Sequence, residues 1–187
     1  MNRAGKTAGL TRRQVLQKAL LSVPMLISLS PLLAMAGKPP TRQLSFFHTH
    51  TEKRLSVVYS RNGKYLPEAF EQINRFLGDF RTGETHAIDP ALMDNLYDIQ
   101  ARVGNKDGVF EVISGFRSLS TNTKLRGRSN GVAKRSLHMC GRAIDVRLAG
   151  TDTSRLRNIS IALQRGGTGY YPQSDFIHVD TGRVRCW

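Results

Sequence analysis

Three short segments of this chain hold side chains whose types and spacing could do chemistry. They read Ser114-Gly115-Phe116-Arg117-Ser118, then Ser136-Leu137-His138-Met139-Cys140-Gly141-Arg142-Ala143-Ile144-Asp145, then Phe176-Ile177-His178-Val179-Asp180. His138, Asp145 and His178 offer two imidazoles and one carboxylate. That donor set suits one zinc ion and leaves the fourth tetrahedral position open, as catalytic rather than structural sites do. Zinc lowers the pKa of a bound water from about 15.7 to roughly 7, so a nucleophile is available at neutral pH. Gly141 permits the turn that brings a histidine and a strand aspartate to one point. Asp145 stands between Ile144 and Val146. A carboxylate inside an apolar strand is costly unless it is paired or bound to a cation. A metal meets that need, and so would one of the many arginines.

Asp180 follows His178 by two residues. On a strand such residues share a face, about 6.5–7 Å apart. From there a carboxylate could take a proton from the attacking water or orient a ligand imidazole from behind. Asp175, three residues before His178, is a second candidate base, provided the chain turns before the strand begins. Spacing favours Asp180 and leaves the choice open. Taken singly, each motif has a plainer reading: His178 as a packed core residue, His138 as a surface loop histidine. His48 and His50 could face one way and form a second metal site, or be surface histidines; His86 lies in a polar loop and carries no signal.

These residues need a scaffold. Gln43–Phe47 and Leu55–Tyr59 are β-rich apolar runs separated by a polar stretch, which predicts a hairpin. Pro67 opens a helix with Phe70, Ile73, Phe76 and Leu77 at helical spacing. Asp89-Pro90 reads as an N-cap and N1 proline, opening a second helix through Leu92, Leu96, Ile99 and Val103. Val109–Ile113 reads as a buried strand, and residues 118–135 as a basic loop with a short helix. Ala143–Leu148 alternates as a strand should. Ser154–Gln164 has the period of a helix, which Gly166-Gly167 is expected to terminate. Phe176–Val179 is a final strand. The sum is an α+β domain, a small mixed or antiparallel sheet with flanking helices.

The first 36 residues have a different character. Arg3, Lys6, Arg12 and Arg13 precede an apolar stretch from Ala19 to Leu33, which closes on Ala34-Met35-Ala36. That is the layout of a secretory signal peptide cleaved after Ala36. The stretch is broken by Ser22, Pro24, Ser28, Ser30 and Pro31, and it falls short of the roughly 20 apolar residues a membrane anchor needs. Thr11-Arg12-Arg13-Gln14-Val15-Leu16 resembles the twin-arginine signal, read by the machinery that exports folded proteins; a chance Arg-Arg pair is the plainer alternative. Residues 1–36 are therefore expected to be a leader and residues 37–187 one domain, large enough for a real core.

The chain is formally +14, and the five cations of the leader, with no acid among them, leave the domain at +9. A basic domain could bind nucleic acid, but an exported one seldom meets it. An anionic wall polymer is the expected partner in the periplasm. Cys140 and Cys186 could form one disulfide in an oxidising compartment or remain separate thiols.

Taken together and in this order, the three segments resemble the M15-type zinc peptidases. That superfamily includes the D-alanyl-D-alanine dipeptidases and carboxypeptidases of cell-wall metabolism and shares a fold with the hedgehog signalling domain. Asn122, the run Arg128-Ser129-Asn130-Gly131-Val132-Ala133-Lys134, the run Gly166-Gly167-Thr168-Gly169-Tyr170-Tyr171-Pro172, and His178-Val179-Asp180-Thr181-Gly182 resemble a smaller branch. These are the twin-arginine-exported murein endopeptidases, once classed as a domain of unknown function. The resemblance implies that His138, Asp145 and His178 hold one zinc, that Arg117 steadies the scissile carbonyl as it becomes an oxyanion, and that Ser136 contacts substrate. Many relatives carry a glutamate where this chain has Asp175, a methylene shorter, and Cys140 is not a family residue. A thiolate beside His138 could contact zinc, a reading weighed against a disulfide or a spectator thiol.

The expected activity is hydrolysis of peptidoglycan peptides, preferentially the L,D bond between two meso-diaminopimelate residues. The runners-up are D,D crosslink opening, D-alanine trimming, and a wall-binding module of the same fold without catalysis.

Overall fold

The structure is a computed structural model that describes residue 1, residues 41–129 and residues 131–187. The leader reading, residues 1–36, thus falls outside the described residues. The described elements are β1 (Thr41–His48), β2 (Arg54–Arg61), β3 (Lys64–Tyr65), α1 (Pro67–Phe76), α2 (Pro90–Val103), β4 (Val109–Ser114), α3 (Leu119–Arg128), β5 (Ala143–Leu148), α4 (Thr153–Leu163), β6 (Gly167–Tyr171), β7 (Phe176–Asp180) and β8 (Arg185–Cys186). Single 3₁₀ turns at Leu137–Cys140 and Pro172–Ser174 precede β5 and β7. The eight strands form one sheet in the order β3-β2-β1-β4-β5-β7-β6-β8. Most neighbours are antiparallel; β1–β4 and β6–β8 run parallel. This is the expected α+β architecture. Among the described residues no helix is long and apolar enough to cross a membrane.

The period-2 pattern of the strands decides which face is which. Leu44 and Phe46 of β1, Phe110 and Val112 of β4, Ile144, Val146 and Leu148 of β5, and Ile177 and Val179 of β7 are fully buried. They pack against Ile73 of α1, Leu92, Met93, Leu96 and Ile99 of α2, and Leu156 of α4. Each such side chain contributes about 1.5–3 kcal/mol by leaving water. Alternation then sends Asp145, Arg147, Phe176, His178 and Asp180 to the opposite face. A slip of one residue would bury those charges in the core, so burial holds the register.

Local signals end most elements as expected. The Asp89 carboxylate accepts from the Ala91 N–H with Pro90 in the first turn, and Gly104 closes α2 at φ 82°. Asp152 caps α4 by accepting from Ser154 and Arg155 N–H groups. The end of α4 is a correction. Gln164, at φ 55°, is the left-handed stop, and Gly167 instead begins β6. Gly166 and Gly167 are small because the Asp180 backbone and carboxylate lie against them; a Cβ at 167 would stand 2.5 Å from Asp180 Oδ2. Strands β6 and β8 were not expected: Gly-Thr-Gly-Tyr-Tyr lacks an apolar alternation, and its pairing comes from β7 and β8 on either side.

One buried network ties α2 to the first hairpin. Asp94 accepts from Arg42 Nη1 at 2.6 Å, Tyr59 Oη at 3.0 Å and Tyr65 Oη at 2.8 Å. Burial would raise the Asp94 carboxyl, but the tyrosine hydroxyls and the Arg42 charge outweigh it and hold it below the usual carboxylate range. A depressed folded value means stability that is present above the unfolded value near 3.9 and lost as pH falls through the folded one. Asp94→Asn is expected to cost about 3 kcal/mol at pH 7 in urea melts, because it leaves Arg42 buried without its counter-charge. The gap from wild type should narrow in melts taken well below pH 4.

Candidate metal centre

Asp145 and His178 are direct cross-strand partners in the antiparallel pair β5–β7. Their side chains share the face away from the core, and His178 Nδ1 lies 2.9 Å from Asp145 Oδ1. His138 arrives from the 3₁₀ turn at Leu137–Cys140. Gly141 ends that turn at φ 64°, and any side chain there would run into the Ala87 carbonyl. The Arg117 N–H donates to the His138 carbonyl at 3.2 Å, which sets the first segment beside the second. His138 Nε2 thereby comes within 3.2 Å of both His178 Nδ1 and Asp145 Oδ1.

The far nitrogen of each ring is held from behind. His138 Nδ1 lies 2.7 Å from the Gly115 carbonyl, so it carries the proton and donates. His178 Nε2 lies 3.0 Å from Asp180 Oδ2 and donates likewise. With those protons assigned by the acceptors, His138 Nε2 and His178 Nδ1 are left to face Asp145. Asp180 is fully buried and its carboxylate is saturated: Oδ1 accepts from the Gly167 and Gly182 N–H groups, and Arg185 donates to both oxygens. Arg117 completes the cluster, donating from Nε to Ser114 Oγ at 2.9 Å and from Nη2 to Asp145 Oδ2 at 2.5 Å.

Burial raises the Asp145 carboxyl in principle, but the hydrogen bonds and charges of the two imidazoles hold it well below the usual carboxylate range. Asp180 is low for a similar reason: His178, Arg185 and two backbone N–H groups outweigh its burial. The histidines diverge. Complete burial pushes His138 down, against the charge and hydrogen bond of Asp145. Burial pulls His178 down too, yet the hydrogen bonds and charges of Asp145 and Asp180 outweigh it and hold the ring above the usual histidine value.

The three inward atoms fit a metal. Among the described residues, His138, Asp145 and His178 are the group of three metal-ligating side chains whose donor atoms all lie within 4.8 Å of one another. Donors about 2.0–2.1 Å from a tetrahedral zinc stand about 3.3 Å apart. The observed spacings of 2.9–3.2 Å are close to that. No fourth His, Cys, Asp or Glu among the described residues joins them. Cys140 and Cys186 are exposed free thiols, joined neither to each other nor to the cluster.

The cluster lies at the floor of a cleft of about 420 Å³. Arg117, Arg135 and Ser136 line it, as do Tyr171, Phe176, Arg185 and Trp187. Asp175 is not part of that lining. It sits in a left-handed turn at φ 50°, accepts from Thr153 Oγ1 at 2.9 Å, and pairs with Arg147 at 3.4 Å. His48 is buried at the end of β1 with Nε2 unpartnered among the described residues, while the exposed His50 ring stacks on Phe80. Among the described residues no third ligating side chain joins that pair. His86 stacks on Phe116. The motifs did not reveal the Gly115 carbonyl, Arg185, Tyr171 or Trp187. Tyr171 had appeared only within the run Gly166–Pro172, and Trp187 only as the single tryptophan of the chain.

A family model described as peptidoglycan L,D-endopeptidase MepK, within the M15 peptidases, matches residues 36–187. The chain belongs to this family. Curated relatives agree in length as well as sequence. The probable peptidoglycan L,D-endopeptidase MepK of Haemophilus influenzae is 42% identical over 163 residues, covering 86% of this chain and 88% of that protein. The peptidoglycan L,D-endopeptidase MepK of Escherichia coli K12 is 36% identical over 176 residues, covering 94% and 96%. The MepK protein of Shigella flexneri matches to the same extent. In this MepK-family chain the three segments singled out by spacing are the ones that the fold brings together.

The raised His178 value has a testable consequence in chelated, metal-free protein. Its stabilising contribution is fully present below the unfolded value near 6.5 and is lost as pH rises through the folded value. His138, pushed down, works oppositely, its contribution falling away below pH 6.5, so a comparison with His178→Gln is needed to separate them. The margin of wild type over His178→Gln in denaturant melts should be full below pH 6.5 and shrink above it. Divalent-metal affinity should climb over the same interval, because a metal must displace the Nδ1 proton.

Proposed function

We propose that this chain is a zinc metallopeptidase that opens peptide crosslinks of peptidoglycan, preferentially the L,D bond between two meso-diaminopimelate residues, outside the cytoplasm. The observation that carries the reading is the convergence of His138 Nε2, His178 Nδ1 and an Asp145 oxygen at the floor of a cleft, with each ring backed by its own acceptor. The names of the relatives supply the substrate class and the bond. The leader at residues 1–36, with Arg12-Arg13 ahead of its apolar stretch, supports delivery to the periplasm by the twin-arginine route.

His138, Asp145 and His178 are the proposed ligands. When bound there, zinc supplies Lewis acidity, polarising a carbonyl and lowering the pKa of a coordinated water. The chain's own residues do the rest. The Gly115 carbonyl and Asp180 each hold a proton on the outer nitrogen of a ligand imidazole, which fixes the tautomer and aims the inner lone pair. Arg117, anchored through Nε to Ser114, keeps a guanidinium at the cleft wall, where it stabilises negative charge growing on the scissile carbonyl oxygen. Ser136 lines the same wall and offers a hydroxyl to the substrate backbone.

The two aspartates take different parts. Asp180 has both oxygens committed to strong donors and is assigned to positioning His178. Asp175 is held by one hydroxyl and a 3.4 Å pair, with its side chain 61% exposed. It remains the other candidate base, but it lies outside the cleft lining and would have to part from Arg147 to reach a water there.

Digestion of purified murein, with released muropeptides identified by mass and metal content measured on the same sample, tests the reading. Opening of diaminopimelate–diaminopimelate links by a zinc-containing protein is expected. Opening of D,D links, or release of free D-alanine, would move the bond assignment to the runner-up. No product at all would leave a wall-binding module. His138→Ala should abolish hydrolysis, and Arg117→Ala should lower kcat about 10²–10³-fold. Asp180→Asn should weaken metal binding about 10–100-fold in chelator competition. Asp175→Asn should lower kcat while leaving metal affinity unchanged.

A further inference from the structure

We infer that the indole face of Trp187 is a substrate subsite that receives the methylene chain of the residue on one side of the scissile amide; this rests on the peptidase reading above and deepens it.

Trp187 is half exposed, yet it is held at several points. Its N–H donates to the Thr168 carbonyl at 3.2 Å, and its own carbonyl accepts from Tyr170 at 3.0 Å. The indole Nε1–H donates to Tyr171 Oη at 3.0 Å. The Arg185 guanidinium lies 4.9 Å from the ring centre. Beneath the ring is Gly169, where a Cβ would stand only 2.7–2.8 Å from three indole atoms. The ring centre is 5.2 Å from that of His178. A large apolar surface fixed in the open beside a reactive cluster is the pattern of a contact surface. An indole also supplies wide contact area while losing few rotamers when it binds.

The other residues of the cleft define the rest of the ligand. Arg135 lines the cleft, is exposed, and has no acidic partner among the described residues. From Arg117 to Arg142 the chain holds seven Lys and Arg and no Asp or Glu. A ligand filling the cleft therefore meets the indole with an aliphatic stretch and Arg135, or Arg185 beside the indole, with anionic groups. Diaminopimelate has that shape, with a methylene chain between ends that carry carboxylate and amine.

The sole tryptophan reports its own occupancy. The holoenzyme is titrated with a stem-peptide dimer whose scissile amide is reduced to CH₂–NH, and with the same dimer carrying alanine in place of diaminopimelate. The expected result is a saturable shift in indole emission with the first and an affinity about tenfold weaker for the second. On cleavable dimer, Trp187→Ala should raise KM about tenfold with kcat within a few-fold, and Trp187→Phe should recover part of it. Gly169→Ala, which pushes the ring off its seat without removing it, should follow Trp187→Ala. Unchanged emission at saturation established by calorimetry would overturn the subsite, as would a Trp187→Ala effect confined to kcat. Emission change without hydrolysis would keep the subsite and sink the peptidase reading; hydrolysis without emission change would do the reverse.

Discussion

A carboxylate buried between two imidazoles is the contact on which the remainder of this structure turns. Asp145 is 5% exposed, in a strand whose neighbours on either side face the hydrophobic core. An isolated charge in that position would cost several kcal/mol. It is tolerated because His138, His178 and Arg117 all converge on its two oxygens. Those partners come from three distant parts of the chain, so the fold must bring together Ser114–Ser118, the turn before β5, and β7 before the charge is compensated. The compensation and the metal-ligating geometry are the same set of contacts.

Support for this cluster is built in layers that reach the edge of the sheet. Asp180 holds His178, Arg185 of β8 neutralises Asp180, and the Gly166-Gly167 entry to β6 lets the backbone approach that carboxylate closely. The short strand β8 therefore contributes far more than two ladder bonds. It places a cation behind a buried acid and leads into the indole that forms one wall of the cleft. On the other side, Ser118 caps α3, and both its N–H and its hydroxyl bond Asp79, so the segment bearing Arg117 is pinned to the loop after α1. Loose loops would not hold donor atoms to the half-ångström that a metal site requires.

The cleft is chemically lopsided for a physical reason. One wall comes from the basic segment between β4 and β5, which carries no acid of its own, although Arg117 pairs with Asp145 and Arg142 with Asp89. The other comes from the sheet edge, where β6 and β7 present Tyr171 stacked on Phe176 at 4.6 Å.

Much of this was legible without coordinates. The hairpin, the helices opened by Pro67 and by Asp89-Pro90, and strands β4, β5 and β7 follow from periodicity and caps, which are local signals. The grouping of His138, Asp145 and His178 was legible because few residue types can bind metals and fewer still occur inside apolar strands. Strands β6 and β8 were hidden, since glycine-rich and two-residue strands gain their pairing from neighbours rather than from their own pattern. The different surroundings of Asp175 and Asp180 were hidden too. Spacing put Asp180 on the face of His178 but could say nothing of the four other donors that saturate it, nor of the Arg147 and Thr153 contacts that hold Asp175 aside. Types and periods are written along the chain; which lone pairs remain free depends on partners such as Arg147 and Thr153, 28 and 22 positions from Asp175, and only the folded sheet brings those together.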